Sequence, residues 1–150
     1  MNLHDKPRVT GSIEYRVFKN GVLIEKCEEH NLVVNQGRRL LAQLISGAFI
    51  NGGYTYVKYL QVGSGTSPAD LTDTRLSSPT AYVAVSNHYV SGDANAVFEW
   101  TLTTEQANGI SIAEFALCDN NYNMVTHQVR GKVIEKEHDI VIEGTYTLHF

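Results

Sequence analysis

Turn signals interrupt this chain about every 8 to 15 residues, and the runs between them alternate apolar with polar side chains. Alternation of period two places successive side chains on opposite faces of a strand, so the pattern constrains the chain to an all-β arrangement. Ile13, Tyr15 and Val17 alternate with Glu14, Arg16 and Phe18, and then Asn20-Gly21 follows. That dipeptide tolerates the two positive φ angles of a type I′ hairpin turn. Further on, Ala96, Phe98, Trp100 and Leu102 oppose Val97, Glu99 and Thr101. The last run places Ile140, Ile142, Tyr146, Leu148 and Phe150 on one face. The spacing predicts eight or nine strands in two packed antiparallel sheets, a mainly β fold of the β-sandwich or jelly-roll-like kind. With 150 residues, a single domain buries about two thirds of the surface its unfolded chain exposes, without disulfide or metal. Residues 1–9 are polar, contain Pro7 and lack periodicity, so they are expected to form a flexible N-terminal arm before a domain spanning 10–150. The strand at the end of the sequence leads to the expectation of a complete small module, not a fragment of a longer fibre.

One stretch breaks the alternation. "NLVVNQGRRLLAQLISG", Asn31 to Gly47, starts as a strand and continues as a helix. Asn35 is the expected N-cap, residues 36–46 the helix, and Gly47 the left-handed stop. Leu40, Leu41, Leu44 and Ile45 share a stripe, with Arg38, Arg39 and Gln43 largely off it. A helix of about three turns is not stable alone in water. The stripe is therefore expected to pack on the sheet or on another subunit, with a cover over an open end or edge of the sandwich preferred. The connector "SGTSPADLTDTRLSSP" has the composition of turns, and Pro68 is expected to start one helical turn at "PADL".

Chemistry-bearing motifs are few. Gly63-Ser64-Gly65-Thr66 lacks the lysine of a phosphate loop and the third glycine of a dinucleotide fold, and reads as a strand-ending turn. His4, His30, His88, His127, His138 and His149 show no metal-ligand spacing. Asp70 and Asp73 suit turn capping better than calcium binding. Cys27 and Cys118 read as buried thiols. No nucleophile elbow is present, so neither a catalytic residue nor a cofactor site is assigned. A net charge of -4 and a pI near 5.8 argue against a nucleic-acid partner. No apolar run approaches a membrane span, and the polar N-terminus is not a secretory signal. Tyr56 and Tyr59 are expected to pack on opposite faces of a strand. Tyr54 and Tyr122 are the better candidates for exposure, as a sugar-stacking platform or a protein contact.

Read in order, "NLVVNQGRRLLAQ", "VGSGTSPADLTDTRL" and "QANGISIAEFAL" resemble three blocks shared by a group of small tailed-bacteriophage virion proteins. The resemblance covers roughly Asn31 to Leu117. It implies a non-enzymatic β-sandwich subunit of the virion, either a capsid decoration (cement) protein or a tail, baseplate or fibre-adaptor component. It brings no catalytic residue with it. The matching positions Asn35, Gly37, Gly63, Gly65, Thr66, Asp73, Thr74, Asn108 and Gly109 read as cap and turn residues that determine the fold. The short length and the lack of a coiled-coil or repeat shaft favour decoration. The partners expected are further copies of the chain, with a trimer favoured, and the major capsid protein or tail proteins. The candidate assembly interface comprises Met1, Asn2, Leu3, His4, Asp5, Lys6, Pro7, Arg8 and Val9, with Tyr54 and Tyr122. A carbohydrate-binding module is the alternative from another class.

Overall fold

A strand that turns once and runs back along itself begins the fold. The computed structural model of the chain describes residues 9–48, 55–77 and 80–150. Strands β1 (Thr10–Lys19) and β2 (Val22–Val33) form the expected hairpin, with Asn20 at φ 50° and Gly21 at φ 78°. Helix α1 (Asn35–Ser46) follows, then β3 (Val57–Gly63), β4 (Thr80–Ala84) and β5 (Asn87–Ser91). The chain ends with β6 (Asn95–Leu102), β7 (Ile110–Asp119), β8 (Thr126–Lys136) and β9 (Ile140–His149).

The nine strands form one sheet in the order β4-β3-β7-β8-β2-β1-β9-β6-β5, with every pairing antiparallel. This sheet doubles over, so the two layers of a sandwich are parts of one ladder. Its two ends, β4 and β5, are separated in sequence only by Val85 and Ser86. The Val85 N–H donates to Lys58 O on β3 and the Ser86 N–H to Glu99 O on β6, each at 2.8 Å. A single chain segment thus steps from one layer to the other and closes the curl.

On the opposite side the layers join at β2 and β8, which pair only at Leu32–His127 and Val33–Thr126. Beyond that corner, side chains span the gap. Arg130 donates to Glu25 at 2.5 Å, and Gln128 donates to Glu29. Between the layers lies the main core. Tyr15 and Trp100 from one layer meet Phe115 from the other at ring-centroid distances of 5.1 and 5.8 Å. Burying a side chain such as Phe115 or Ile142 contributes about 1.5–3 kcal/mol.

Several expectations are corrected by the tertiary contacts. Asn35 is the first residue of the helix, not its cap. Val34 occupies the cap position in extended conformation, with no side-chain hydrogen bond, and the Asn35 N–H donates to Leu71 O at 2.8 Å. Gly47 does end the helix, at φ 69°. Of the apolar stripe, Leu40 is buried, whereas Leu44 is 38% and Ile45 85% exposed. The reason lies at Gly37, where a Cβ would stand 2.3 Å from Val125 O. The helix approaches the backbone just before β8 through this glycine, so its first turns are sealed and its last turn is not. "PADL" forms no helical turn. A tight turn at Asp70–Asp73 takes its place, with the Asp73 N–H donating to Asp70 O at 3.1 Å. Phe150, beyond the end of β9, leaves the core face and is 53% exposed. Cys27 and Cys118 are free thiols in different apolar clusters. Burial pushes the Cys118 thiol up to about 12, which disfavours the thiolate.

Candidate functional site

The motif residues converge on one buried carboxylate. Glu114 points from β7 toward the start of the connector and is 2% exposed. Its Oε1 accepts the N–H groups of Gly65 and Ser77, each at 2.9 Å. Its Oε2 lies 2.9 Å from Nε2 of His127 on β8. The other ring nitrogen, Nδ1, lies 2.7 Å from Asp73 Oδ2 in the connector. Burial alone would lower the His127 pKa, but the hydrogen bonds to Glu114 and Asp73 outweigh it and hold the pKa above the ordinary value. Each ring nitrogen thus faces a carboxylate, an arrangement that favours the protonated form of the ring.

The geometry explains the glycines of "GSGT". A Cβ at Gly63 would stand 2.7 Å from Glu114 Oε1, and one at Gly65 would stand 2.5 Å from it. These residues are small because a carboxylate fills the concavity. The third block has a similar role: Asn108 Oδ1 accepts from Lys136 Nζ at 2.7 Å while its Nδ2 donates to Thr104 O at 2.7 Å. Both His127 nitrogens are occupied, so the ring has no free position from which to act on a nucleophile. Among the described residues, no group of three or more His, Cys, Asp or Glu side chains is placed to hold a metal ion.

The exposed chemistry lies elsewhere, around the turn between β7 and β8. Asp119 holds that turn: its Oδ1 accepts from the N–H groups of Asn121 and Asn123 at 2.8 Å, and its Oδ2 from Asn123 Nδ2 at 3.0 Å. On one side of the turn Tyr122 stacks on Tyr59, with centroids 4.7 Å apart and planes 8° from parallel. Tyr82 meets Tyr122 edge-on at 4.9 Å, and Lys58 Nζ lies 5.2 Å from the centre of the Tyr59 ring. The Tyr122 hydroxyl hydrogen-bonds the Tyr59 oxygen at 3.4 Å, which lowers the Tyr59 pKa, with Lys58 adding to the effect. Tyr122 has φ 65°, a region in which a non-glycine residue costs about 1–3 kcal/mol. On the other side of the turn is a groove of about 720 Å³, bounded by the start of α1 and by the connector. Its walls include Gln36, Arg39 and Gln43 from the helix, Thr72 from the connector, and Asn120 and Asn121 from the turn.

Tyr122 is exposed, at 53%, as expected. Val9 is not a free arm residue, since it packs against the main core ahead of β1. Met1 to Arg8 and Tyr54 lie outside the described residues. Tyr56 is 51% exposed and Tyr59 belongs to the cluster above, so these two do not simply pack on opposite strand faces. His127, Glu114, Tyr59 and Tyr82 were not singled out as site residues by sequence reasoning. The only advance signal was that Asp73 and Glu114 fall inside the shared blocks. The fold and its surface define a curled antiparallel sandwich with one buried ionic hub and one exposed aromatic cluster. No family model, curated protein or solved structure matches the chain.

Proposed function

We propose that this protein is a non-enzymatic structural subunit of a tailed-phage virion, a capsid decoration protein that binds the outer shell as an oligomer. The observation that supports this reading is where the shared-block residues sit. Gly65, Asp73 and Glu114 are joined by hydrogen bonds in one network with His127, Gly63 packs against the Glu114 carboxylate, and Asn108 anchors Lys136. Residues used in this way determine a fold and leave function to the surface. The hairpin tip offers a contact surface for assembly, since Val22, Leu23 and Ile24 are 63%, 49% and 56% exposed. The partners are further copies of the chain, with a trimer favoured, and the major capsid protein, without nucleic acid.

Co-sedimentation of purified protein with expanded capsids, together with light scattering for oligomeric state, tests the proposal. A trimer that saturates the shell is the expected outcome. A monomer that leaves expanded capsids bare would sink it, and gold labelling confined to tails would reassign the chain to the tail, baseplate or fibre adaptor.

A further inference from the structure

We propose that His127 is a proton-controlled latch that pins the Asp70–Asp73 turn of the connector to the sheet and, through that turn, to the start of α1. A line of contacts builds it. His127 Nδ1 lies 2.7 Å from Asp73 Oδ2, and Nε2 lies 2.9 Å from Glu114 Oε2. The same Asp73 Oδ2 accepts the Asp70 N–H at 2.7 Å, which closes the turn on itself. Leu71 O, inside the turn, accepts the N–H of Asn35, the first residue of α1, at 2.8 Å. The contacts therefore run from β8 through Asp73 to the helix. Leu71, Thr72, Asp73 and Thr74 also border the groove beside α1, so that wall of the groove is held by the same latch.

A protonated imidazole has two N–H donors and serves both carboxylates at once, whereas the neutral ring has only one. After deprotonation one carboxylate must face a ring lone pair. Glu114 is 2% exposed and is also held by the Gly65 and Ser77 N–H groups, so it keeps the remaining donor. The Asp73 side chain is 27% exposed and can be solvated, so it is the one released. Leu32, which pairs with His127 from β2, and Thr126 and Gln128, which flank it on β8, are uncharged and supply no substitute. The charged groups around Asp73 are Asp70 in the turn, with Arg39 of α1 and Asp119 of β7 bordering the same groove. Burial lowers the His127 pKa, but the hydrogen bonds to Glu114 and Asp73 outweigh it, so the folded value lies above the ordinary 6.5. The latch is therefore closed below that value and released as pH rises through it. The inference does not rest on the virion reading: the latch and capsid binding can fail separately.

Trypsin reads the latch at Arg75. Arg75 is exposed, but Leu76 beside it is 7% exposed within a core cluster, and the pair lies between the Asp73 and Ser77 anchors. Cleavage of the Arg75–Leu76 bond therefore requires the turn to come free. The full chain is digested from about pH 6 to about pH 9, and the loss of this bond is followed by mass spectrometry. Each rate is divided by that of an unstructured peptide carrying the same bond, which removes the pH dependence of trypsin itself. The ratio should rise at least about fivefold across the range in the parent chain. In His127→Gln and Asp73→Asn it should be high at both ends and lose the rise. Asp73→Asn removes the charge at a partly exposed position and keeps a turn-forming side chain, so it decides the matter if His127→Gln does not fold. The proposal is overturned by a flat ratio in the parent chain, by a rise that persists in Asp73→Asn, or by a rise that accompanies loss of the far-ultraviolet strand signal.

Discussion

Gly65 and Glu114 are 49 residues apart in the chain and in direct hydrogen-bond contact in the fold. An alanine at position 65 would put its Cβ 2.5 Å from the carboxylate oxygen and 2.7 Å from Ser77 Oγ. Glu114 would then have to leave the two N–H groups it accepts. Gly65→Ala is expected to cost about 1–3 kcal/mol in urea unfolding, with an unchanged m-value. His127 provides a pH signature. Its folded pKa lies above the ordinary 6.5, so the folded state binds its proton more tightly than the unfolded chain does. The stability this contributes is fully present below about pH 6.5 and is lost as pH rises through the folded value. His127→Gln should reduce stability most at about pH 6 and flatten its decline toward about pH 9, as read from urea midpoints across that range.

At the scale of one element, α1 shows how an apolar stripe misleads. The stripe ran through Leu40, Leu41, Leu44 and Ile45, but the helix touches the sheet through Gly37 and Leu40. The close approach at Gly37 decides which turn is buried. Leu40→Ala is expected to cost about 2–5 kcal/mol, because it opens a cavity in the sealed first turns. Ile45→Ser, on the 85% exposed position, should stay within about 0.5 kcal/mol of the parent. Thermal melts of the two variants separate this geometry from one in which the whole stripe is buried. The β1–β2 hairpin is the contrasting element: its alternation and its Asn20-Gly21 turn were legible directly, because both depend on neighbours within a few residues.

For the whole molecule, the single curled sheet has a consequence for unfolding. Trp100 is the only tryptophan in the chain and is 1% exposed, beside Tyr15 of its own layer and in contact with Phe115 of the other. Because the layers share this contact and the β4–β5 segment, they are not separate folding units. Urea transitions followed by Trp100 fluorescence and by far-ultraviolet circular dichroism should coincide. An early loss of fluorescence with the strand signal intact would show that the layers come apart first.

The mainly β class, a strand count of eight or nine, the hairpin turn and the end of the helix at Gly47 were all determined by the sequence itself. Each depends on side-chain alternation or on backbone preference over a short span, which is local information. The seam where Arg130 and Glu25 replace a ladder, the hub of Asp73, Glu114 and His127, and the stack of Tyr59, Tyr82 and Tyr122 were decided only by the tertiary structure. The members of each group lie far apart in the chain. Their meeting depends on the register and curl of the whole sheet, and no local pattern of residues encodes that.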